Sequence, residues 1–418
     1  MQPSLIKNID HYVGIPLCFL LSLWRKWVSL FSKQVDKIPT PNDKILFIKF
    51  IEQGATVLAY DSLMTAIEKV SKENVYFCVF RSNVAILYLL DIIPTKNILV
   101  IEDKKFFSFV ISVLKTLWYL RKNKISICID MEFFSRFSAI FSYLSGAKIR
   151  VGLHRFNAEQ PYRGDLMTHK VNHNSHLHIS QYYRMLVDVA FNSNTNQVPI
   201  NKLPIVPKEE IKLPKYNPPS ENIEKIYDKL KQKFKLDDIK ERRIVLLNPN
   251  ASDMLPIRKW ETENFIKLSK KILEKWRDVL IVFTGAPSEK DAVEKIVKQI
   301  NHRNVVSMAG ETNFRELIEL YHISDLLITN DSGPGHFTTL TNTNTIVLFG
   351  PETPLLFGSL SPSTYVIFKN LGCSPCVNVY NHRFSPCNNN LCMKMIEVDE
   401  VFSLCEKVLN FKTLKYES

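Results

Sequence analysis

Short apolar runs that alternate with helical segments, in two separate series, most constrain how this 418-residue chain folds. The first series includes the β-branched run at 44–51 and the helical spacing at 55–70, and the second begins with the run at 243–248. Because buried strands that alternate with helices form parallel sheets with right-handed crossovers, each series predicts one doubly wound α/β domain. The proline-rich stretch at 191–220 has no hydrophobic period and predicts a connector.

The length agrees with two domains, because one hydrophobic core rarely serves more than about 250–300 residues. We expect two Rossmann-like domains that face a central cleft, since ligands of doubly wound sheets bind beyond the carboxyl ends of the strands. The predicted boundaries are an N-terminal segment at 1–40, an N-terminal Rossmann-like domain at 41–190, a linker with a connecting helix at 191–240, a C-terminal Rossmann-like domain at 241–395 and a C-terminal helix at 396–418.

The chain carries 54 Lys and Arg against 42 Asp and Glu, a formal net charge of +12. This excess favours an acidic partner: nucleic acid, anionic lipid or a phosphorylated substrate. No recognition-helix or RNA-binding motif occurs in the sequence, so we expect no nucleic acid. Four of the eight cysteines, Cys18, Cys78, Cys128 and Cys405, stand singly in apolar surroundings, which predicts buried thiols and a reducing, cytoplasmic compartment.

An apolar stretch at 15–24 lies near the N-terminus and is followed at once by Arg25 and Lys26. It is shorter than the roughly 20 residues that span a bilayer. Together with Trp24 and Trp27, the two cations are typical of a helix in the headgroup region of an anionic membrane. A helix packed on the protein's own surface is the alternative interpretation.

The segment 329–340, TNDSGPGHFTTL, follows a short apolar run and leads into helix-compatible residues. A strand that ends in glycine-rich backbone at the start of a helix leaves several N–H groups without an internal partner, which favours an anionic ligand. Gly333, Gly335 and Thr338, with Glu352 about twenty residues later, loosely resemble a dinucleotide-binding fingerprint. The third glycine is missing and the loop follows a late strand, so we expect a different phosphorylated ligand.

Three motifs occur in order in this part of the chain: Thr329-Asn-Asp-Ser-Gly-Pro-Gly-His336, Thr345-Ile-Val-Leu-Phe-Gly-Pro351 and Cys373-Ser-Pro-Cys376. Together they resemble the signature region of glycosyltransferase family 9, the lipopolysaccharide heptosyltransferases. Further resemblance over about 44–410 is carried by Asn248-Pro-Asn250 and Arg258-Lys-Trp260 as the donor-contacting stretch, Gly285 with Glu289 as the ribose-side loop, and Arg150-Val-Gly152 as the end of the N-terminal sheet.

The resemblance implies a GT-B fold and an inverting glycosyltransferase that needs no cofactor. It implies a nucleotide diphosphate sugar as donor, with ADP-heptose as the family's expectation, held mainly by the C-terminal domain. The N-terminal domain would hold the acceptor, a lipopolysaccharide core or related glycolipid. The expected location is peripheral, on the cytoplasmic face of a bacterial inner membrane.

Eight residues are predicted to bind the donor: Asn250, Arg258, Glu289, Asp331, Ser332, Gly333, Gly335 and His336. No Asp-x-Asp motif occurs in the chain, so we expect the backbone amides of 332–336 and the Arg258 cation to stabilise the diphosphate in place of a metal ion. Asp331 is expected to order the loop or to bind a sugar hydroxyl, and His336 to donate a hydrogen bond to the diphosphate.

Glycosyl transfer also needs a base for the attacking hydroxyl. The family's Gly-Asp pair, whose carboxylate is the expected base, corresponds here to Gly54-Ala55, and alanine cannot accept a proton. The nearest carboxylates are Glu52 and Asp61, of which Glu52 is the favoured replacement; a solvated loop residue is the alternative for Glu52. A nucleotide-sugar-binding scaffold without transferase activity therefore stays open as a second function.

A basic segment of the N-terminal domain is predicted to bind phosphate groups of an acidic glycolipid through Arg155, Arg163 and Lys170. The same segment contains His169, His173, His176 and His178, whose spacing suits no particular metal-ligand set. We expect these histidines in a partly exposed acceptor-side segment; a metal site is the alternative.

Near the C-terminus, Cys373, Cys376, Cys387 and Cys392 provide four soft ligands within twenty positions. This spacing is compatible with a structural zinc ion or a disulfide pair. Four reduced thiols are the favoured interpretation. No catalytic metal is expected here.

Overall fold

The computed structural model describes residues 3–31, 39–192, 197–251, 255–381 and 384–416. It divides into two compact units, Met1–Lys212 and Leu213–Ser418. The boundary falls inside the segment 191–240 that the sequence analysis assigns to a connector. Residues 32–38 of the predicted N-terminal segment and 417–418 of the predicted C-terminal helix lie outside the described residues.

Unit 1 contains a six-stranded sheet in which all neighbouring strands pair in parallel. Its strands are β1 (Ile45–Ile48), β2 (Val75–Phe80), β3 (Ile98–Ile101), β4 (Ile127–Asp130), β5 (Ile149–Leu153) and β6 (His169–Val171), in the order β3-β2-β1-β4-β5-β6. All four residues of β1 are buried. Parallel sheets are covered on both faces, which explains the continuous apolar runs in the sequence.

The α-helices in the described part of unit 1 are α1 (Pro3–Tyr12), α2 (Gly14–Phe31), α3 (Gln53–Leu58), α4 (Tyr60–Val70), α5 (Ala85–Leu90), α6 (Phe106–Lys122), α7 (Arg136–Leu144) and α8 (Ile179–Asn192). The single helix expected at 55–70 is two helices, which are separated at Ala59. Glu52 directly precedes the first turn of α3.

Unit 2 repeats the architecture with strands β7 (Arg243–Asn248), β8 (Val279–Phe283), β9 (Val305–Ser307), β10 (Leu326–Asn330), β11 (Asn344–Phe349) and β12 (Thr364–Phe368), in the order β12-β11-β10-β7-β8-β9. Its α-helices in the described residues are α9 (Ser220–Phe234), α10 (Thr262–Lys275), α11 (Lys290–Ile300), α12 (Phe314–His322), α13 (Gly333–Phe337), α14 (Pro354–Phe357), α15 (Leu391–Lys394) and α16 (Val398–Tyr416). All neighbouring strands again pair in parallel, and the prediction of two doubly wound α/β domains is confirmed.

The four isolated cysteines are buried and free, as predicted: Cys18, Cys78, Cys128 and Cys405. Burial raises the pKa of the Cys18 thiol to about 11 and that of Cys128 to about 12. A thiol with so high a pKa is a poor nucleophile, because the thiolate is the reactive form. These side chains therefore fill the core.

Strand β6 falls in the histidine-rich segment, where the sequence analysis expected a partly exposed acceptor-side surface. His169 is buried in β6, and its Nδ1 lies 2.9 Å from Thr168 Oγ1. His178 is also buried, and its Nδ1 accepts a hydrogen bond from the Ser180 N–H (3.2 Å). His169 and His178 are thus buried, whereas His173 is partly buried and His176 is exposed, so only part of this segment is accessible to solvent.

One face of helix α2 packs on the rest of unit 1. Cys18 and Ser22 are buried, and the Ser22 hydroxyl accepts a hydrogen bond from the Asp165 N–H (2.7 Å). Arg25 Nη2 donates to Asp165 Oδ2 over 2.7 Å. The alternative interpretation of the N-terminal helix, packing on the protein's own surface, thus describes this inner face.

The outer face of α2 is apolar and exposed, with Leu20, Trp24, Trp27 and Phe31 more than half accessible. The helical segment Asn8–Phe31 is long and apolar enough to cross a membrane when only length and composition are considered. Because its inner face contacts unit 1, α2 presents the outer row of apolar side chains as a surface of that unit.

Gly164 lies beneath α2, and we predict that Gly164→Ala loosens this helix. Gly164 has φ +73°, and an added Cβ would lie 2.7 Å from Cys18 O and 2.7 Å from Ser22 Oγ. The left-handed backbone alone makes alanine unfavourable by roughly 1–3 kcal/mol. Limited proteolysis should release the N-terminal segment faster from Gly164→Ala than from the natural protein.

Gly372→Ala provides the matched control, because an added Cβ there meets no heavy atom within 4 Å. Its proteolysis should match that of the natural protein. An unchanged release rate in Gly164→Ala would show that α2 does not depend on the close approach at Gly164.

Candidate active site

The reversal of strand order in unit 2 lies between β7 and β10, and Asn330 joins the loops that follow these two strands. Asn330 Nδ2 donates to Pro249 O (3.1 Å) and to Asn250 O (3.2 Å). Its Oδ1 accepts a hydrogen bond from the Trp260 N–H (3.0 Å). In doubly wound sheets this crevice at the carboxyl ends of the strands is where ligands bind. The loops around it are therefore held by one buried amide.

Arg258 and Asp331 meet in this crevice. Arg258 Nη1 donates to Asp331 O (3.1 Å) and to Asp331 Oδ2 (3.3 Å). Burial raises the pKa of Asp331 above its ordinary value, while the Arg258 cation opposes the rise. The buried Arg258 Nε has no hydrogen-bond partner among the described residues. The guanidinium is thus held at the loop with donor capacity that an anionic ligand would satisfy.

Glu352 is a residue of this crevice that the sequence analysis missed as a site residue. It follows β11, which pairs with β10, and it is only 4% exposed. Burial, with the negative charge of Asp331, raises the pKa of Glu352 well above its ordinary value, and Arg258 opposes the rise. Glu352 Oε1 has no hydrogen-bond partner among the described residues. A carboxylate soon after the strand beside β10 was the signal that would have identified it.

The two glycines of the 332–336 loop allow its backbone to pack closely. A Cβ on Gly333 would lie 2.9 Å from the Phe337 ring, and one on Gly335 would lie 3.1 Å from Val347. Ser332 precedes α13, and its hydroxyl donates to Asn330 O (3.1 Å). His336 lies in α13 and is partly buried. Both glycines are therefore required by packing at the strand-to-helix turn.

Asn250, Gly285 and Glu289 come together beyond the carboxyl end of β8. A Cβ on Gly285 would lie 2.8 Å from Asn250 Nδ2 and 3.2 Å from Glu289 Oε2. Glu289 Oε2 accepts a hydrogen bond from the Ala286 N–H (2.7 Å), which orders the turn before α11. All eight predicted donor residues thus lie at the carboxyl edge of the unit 2 sheet, in two neighbouring groups.

In unit 1 the strand order reverses between β1 and β4, and Lys49 and Glu132 form a buried ion pair there. Lys49 Nζ lies 2.9 Å from Glu132 Oε2. Glu132 Oε1 also accepts hydrogen bonds from the N–H groups of Phe50 (2.7 Å) and Ile51 (3.3 Å). The pair orders the backbone that leads from β1 into Glu52. Glu132 was not predicted, because its partner Lys49 is 83 positions away in the sequence.

Glu52 lies at this reversal with a partly accessible carboxylate. Its side chain is 24% exposed, and Glu52 Oε2 is 3.9 Å from Lys49 Nζ. The residue has φ 73° and ψ 93°, an unfavourable backbone conformation for a side chain other than glycine, and its N–H donates to Asn83 Oδ1 (3.1 Å). Strained residues of this kind concentrate at functional sites, where the surrounding structure holds them in place.

Asp61, the second carboxylate named as a candidate base, is a structural residue. It is fully buried; its Oδ2 accepts from Arg184 Nη1 (3.1 Å) and its Oδ1 from the Lys212 N–H (3.0 Å). Both oxygens are engaged away from solvent, so the candidacy of Asp61 as a base is wrong. The sequence could not show this, because both partners lie more than a hundred positions away.

The three residues of unit 1 that are predicted to bind phosphate lie in different environments. Arg163 is buried, where it pairs with the fully buried Asp130 and donates to Ser138 Oγ (3.1 Å), so its assignment to an exposed acceptor site is wrong. Lys170 Nζ lies 2.6 Å from Asp165 Oδ1 and stays one-third exposed. Arg155 lines a groove of about 540 Å³ beside α2.

Among the described residues, no group of three or more His, Cys, Asp and Glu side chains is arranged to hold a metal ion. Burial lowers the pKa of His173 to about 4, and its ring packs edge-on against Phe133. The four C-terminal cysteines, Cys373, Cys376, Cys387 and Cys392, are all free. A metal site made by the histidine-rich segment therefore has no support in this part of the chain.

Comparisons with known proteins show the family to which the chain belongs. A family model described as glycosyltransferase family 9 (heptosyltransferase) matches residues 113–384, well over half of the chain. The chain belongs to glycosyltransferase family 9. Lipooligosaccharide heptosyltransferase 2 of Campylobacter jejuni is 25% identical over 173 residues, which are 40% of this chain and 52% of that protein. The family 9 chain thus matches about half the length of this curated relative.

Solved structures of the family share the fold. The Escherichia coli ADP-heptose lipopolysaccharide heptosyltransferase II has a TM-score of 0.65 at 17% identity, over 90% of this chain and 100% of that one. A family 9 glycosyltransferase from Veillonella parvula has a TM-score of 0.64 at 16% identity, over 88% and 97% of the two chains. At these identities the likeness concerns the fold.

Glu352 leads to a prediction on stability. A carboxyl whose pKa is raised by folding stabilises the fold most below its unfolded pKa, and the contribution is lost as the pH rises through the folded pKa. Glu352→Gln has no titratable carboxyl at this position and avoids this loss. The free energy of unfolding of the variant minus that of the natural protein should therefore increase as the pH rises above about 4.5, by up to about 1.4 kcal/mol per pH unit. Urea unfolding at a series of pH values measures the difference.

Glu221→Gln is the control, because the hydrogen bond from Lys225 lowers the pKa of this exposed carboxylate. The pH dependence of stability due to Glu221 has the opposite sign, because its stabilising contribution is present above the unfolded pKa and is lost as the pH falls. This contribution is small, because the carboxylate is exposed. A stability difference for Glu352→Gln that does not change with pH would contradict the assignment of a raised pKa to Glu352.

Proposed function

We propose that the protein is an inverting, metal-independent glycosyltransferase that transfers a heptose or similar sugar from a nucleotide diphosphate sugar to a lipopolysaccharide core or related bacterial glycolipid. The observation that carries the proposal is the Arg258–Asp331 contact at the strand-order reversal of unit 2, where the residues of the family's donor motif meet. ADP-heptose is the first donor to test, because the name of the E. coli relative contains it.

In the proposed reaction, unit 2 holds the donor. The Arg258 guanidinium and the backbone amides of 332–336 stabilise the diphosphate, which takes the electron pair as its bond to the anomeric carbon breaks. Asp331 holds Arg258 through Oδ2 at 3.3 Å and orients it. This carboxylate is engaged by a cation of the chain, and no Asp-x-Asp motif is present. In the proposed reaction, protein groups rather than a metal ion therefore stabilise the charge of the diphosphate.

Unit 1 is proposed to activate the acceptor. Glu52 accepts the proton of the attacking hydroxyl while the hydroxyl oxygen forms the new bond to the anomeric carbon, and attack opposite the leaving diphosphate inverts that centre. The Lys49 ammonium lies 3.9 Å from the Glu52 carboxylate, so a cation is next to the proposed base. Lys170 and Arg155 are the cations that stay near the surface for phosphate groups of the acceptor.

The proposed location is peripheral, on the cytoplasmic face of the inner membrane. The exposed Trp24 and Trp27 on the outer face of α2 support it, because aromatic side chains favour the membrane interface. A peripheral position gives the enzyme access to a lipid-linked acceptor.

A second function is a nucleotide-sugar-binding scaffold. The observation in its favour is Ala55, which replaces the aspartate of the family's Gly-Asp pair. The scaffold would bind donor in unit 2 and transfer no sugar.

Glu52→Gln separates the two functions. This variant keeps the size of the side chain and removes the proton acceptor, so kcat should fall about 10²–10⁴-fold while donor affinity stays unchanged. Mass spectrometry of the extended lipid acceptor measures turnover, and the pH profile of kcat should lose its acid limb. Asp61→Asn is the control: it should lower stability rather than kcat of the folded fraction, because Asp61 is buried with Arg184.

Near-normal turnover in Glu52→Gln would remove Glu52 as the base. If the natural protein binds a nucleotide sugar and extends no lipid-linked acceptor, the scaffold function is correct.

A further inference from the structure

Helix α6 exposes a row of large apolar side chains that the proposed reaction does not use. Phe107, Ile111, Leu114 and Trp118 are 80%, 53%, 61% and 64% exposed. Their spacing of four, three and four positions aligns them on one helical face. We call this row the α6 stripe. Large apolar patches on the surface of a soluble protein mark interaction sites.

The opposite face of α6 fixes the helix in this orientation. Leu117 and Leu120 are buried in the core of unit 1. The ring of Phe109 lies 5.4 Å from that of Phe137 in α7. Rotating α6 so that the stripe is buried would expose Leu117, Leu120 and Phe109 to solvent. Unit 1 therefore cannot bury both faces of this helix at once.

Cations predominate in the sequence that contains the α6 stripe, and Glu102 and Asp103 precede it. Residues 104–129 contain six cations and no acidic residue: Lys104, Lys105, Lys115, Arg121, Lys122 and Lys124. The Lys122 ammonium lies 4.8 Å from the centroid of the Trp118 ring. An apolar row with aromatic side chains, flanked by cations, complements a bilayer interface that contains anionic lipid.

We propose that the α6 stripe is a second membrane-contact surface, which inserts its apolar side chains into the interface of an anionic bilayer. A second copy of the chain fits this surface poorly, because two copies would bring six cations against six cations. An anionic bilayer neutralises the same cations and covers the apolar row.

Helix α6, which carries the stripe, and helix α2, which carries the other exposed apolar face, both contact α7. Cys18 of α2 contacts the core that includes Ala139 of α7, and Leu117 of α6 shares a core with Phe141 of α7. Two helices of unit 1 thus contribute exposed aromatic side chains. Attachment through both would hold unit 1 in a defined orientation, whereas one helix alone would leave rotation free.

The inference deepens the membrane location proposed above and rests on it. Its first test uses the full chain with Ile111→Gln and Leu114→Gln together, in sedimentation with vesicles of phosphatidylglycerol and phosphatidylethanolamine. Loss of two interfacial apolar side chains should lower the partition coefficient about tenfold to a hundredfold. The unfolding midpoint should stay unchanged, because both positions are exposed. Ile205→Gln, an exposed apolar position elsewhere in unit 1, should bind vesicles like the natural protein.

The second test detects contact directly. The chain has five tryptophans, all within the described residues, and Trp260 and Trp276 are buried at 1% and 7% exposure. Trp24→Phe with Trp27→Phe therefore leaves Trp118 as the one exposed tryptophan. Vesicles with brominated acyl chains should quench its fluorescence, and the further change Trp118→Phe should abolish the quenching. Raising the salt concentration should weaken binding, since the cations contribute through a screened attraction.

The outcomes separate this inference from the location proposed for α2. If the double tryptophan variant binds vesicles and Trp118 is not quenched, α2 contacts the membrane and the α6 proposal is wrong. Equal partition of Ile111→Gln/Leu114→Gln and the natural protein would contradict it as well. If no form binds vesicles, both membrane proposals fail, while the transfer assay with Glu52→Gln still decides the proposed reaction. A dimer that these two glutamines dissociate would assign the stripe to a second copy and overturn the lipid proposal.

Discussion

Parallel strand pairing is the constraint on which both units depend, because it brings the carboxyl ends of all strands to one edge of each sheet. In unit 2 the reversal between β7 and β10 places Asn250 and Asp331 at that edge, and Asn330 joins their loops through two hydrogen bonds. In unit 1 the reversal between β1 and β4 places Glu52 near the Lys49–Glu132 pair. The candidate chemistry in both units therefore follows from topology.

Burial separates the charged residues that are fully engaged within the fold from those that keep an atom without a partner. Asp61 has both oxygens engaged by Arg184 and Lys212, and the charge of Arg163 is paired with that of Asp130 in the core. Arg258 keeps a buried Nε without a partner among the described residues, and Glu352 keeps Oε1 in the same state. Such atoms are unfavourable unless a ligand or water satisfies them, which is the physical reason to regard the unit 2 crevice as a binding site.

Local patterns in the sequence predicted the parts of the fold that local physics determines. The run at 243–248 became β7, and the glycine-rich loop became the turn between β10 and α13. Strand β6 was not predicted, because three residues are too few to show the apolar pattern that identifies a strand. Site residues whose partners are distant in sequence were assigned least well: Asp61 and Glu132 depend on contacts across 123 and 83 positions, which no local pattern contains.

We propose that Arg258 and its loop bind the diphosphate of a nucleotide sugar, and calorimetric titration of the natural protein with ADP-, GDP- and UDP-sugars measures this binding. We expect at least one donor to bind, and Arg258→Ala to weaken that binding by about 1.5–3 kcal/mol, the range for a hydrogen bond to a charged group. Lys259→Ala, at the neighbouring cation, should bind almost as the natural protein does. If no donor binds, or if Arg258→Ala binds the donor with unchanged affinity, Arg258 and its loop do not bind the diphosphate.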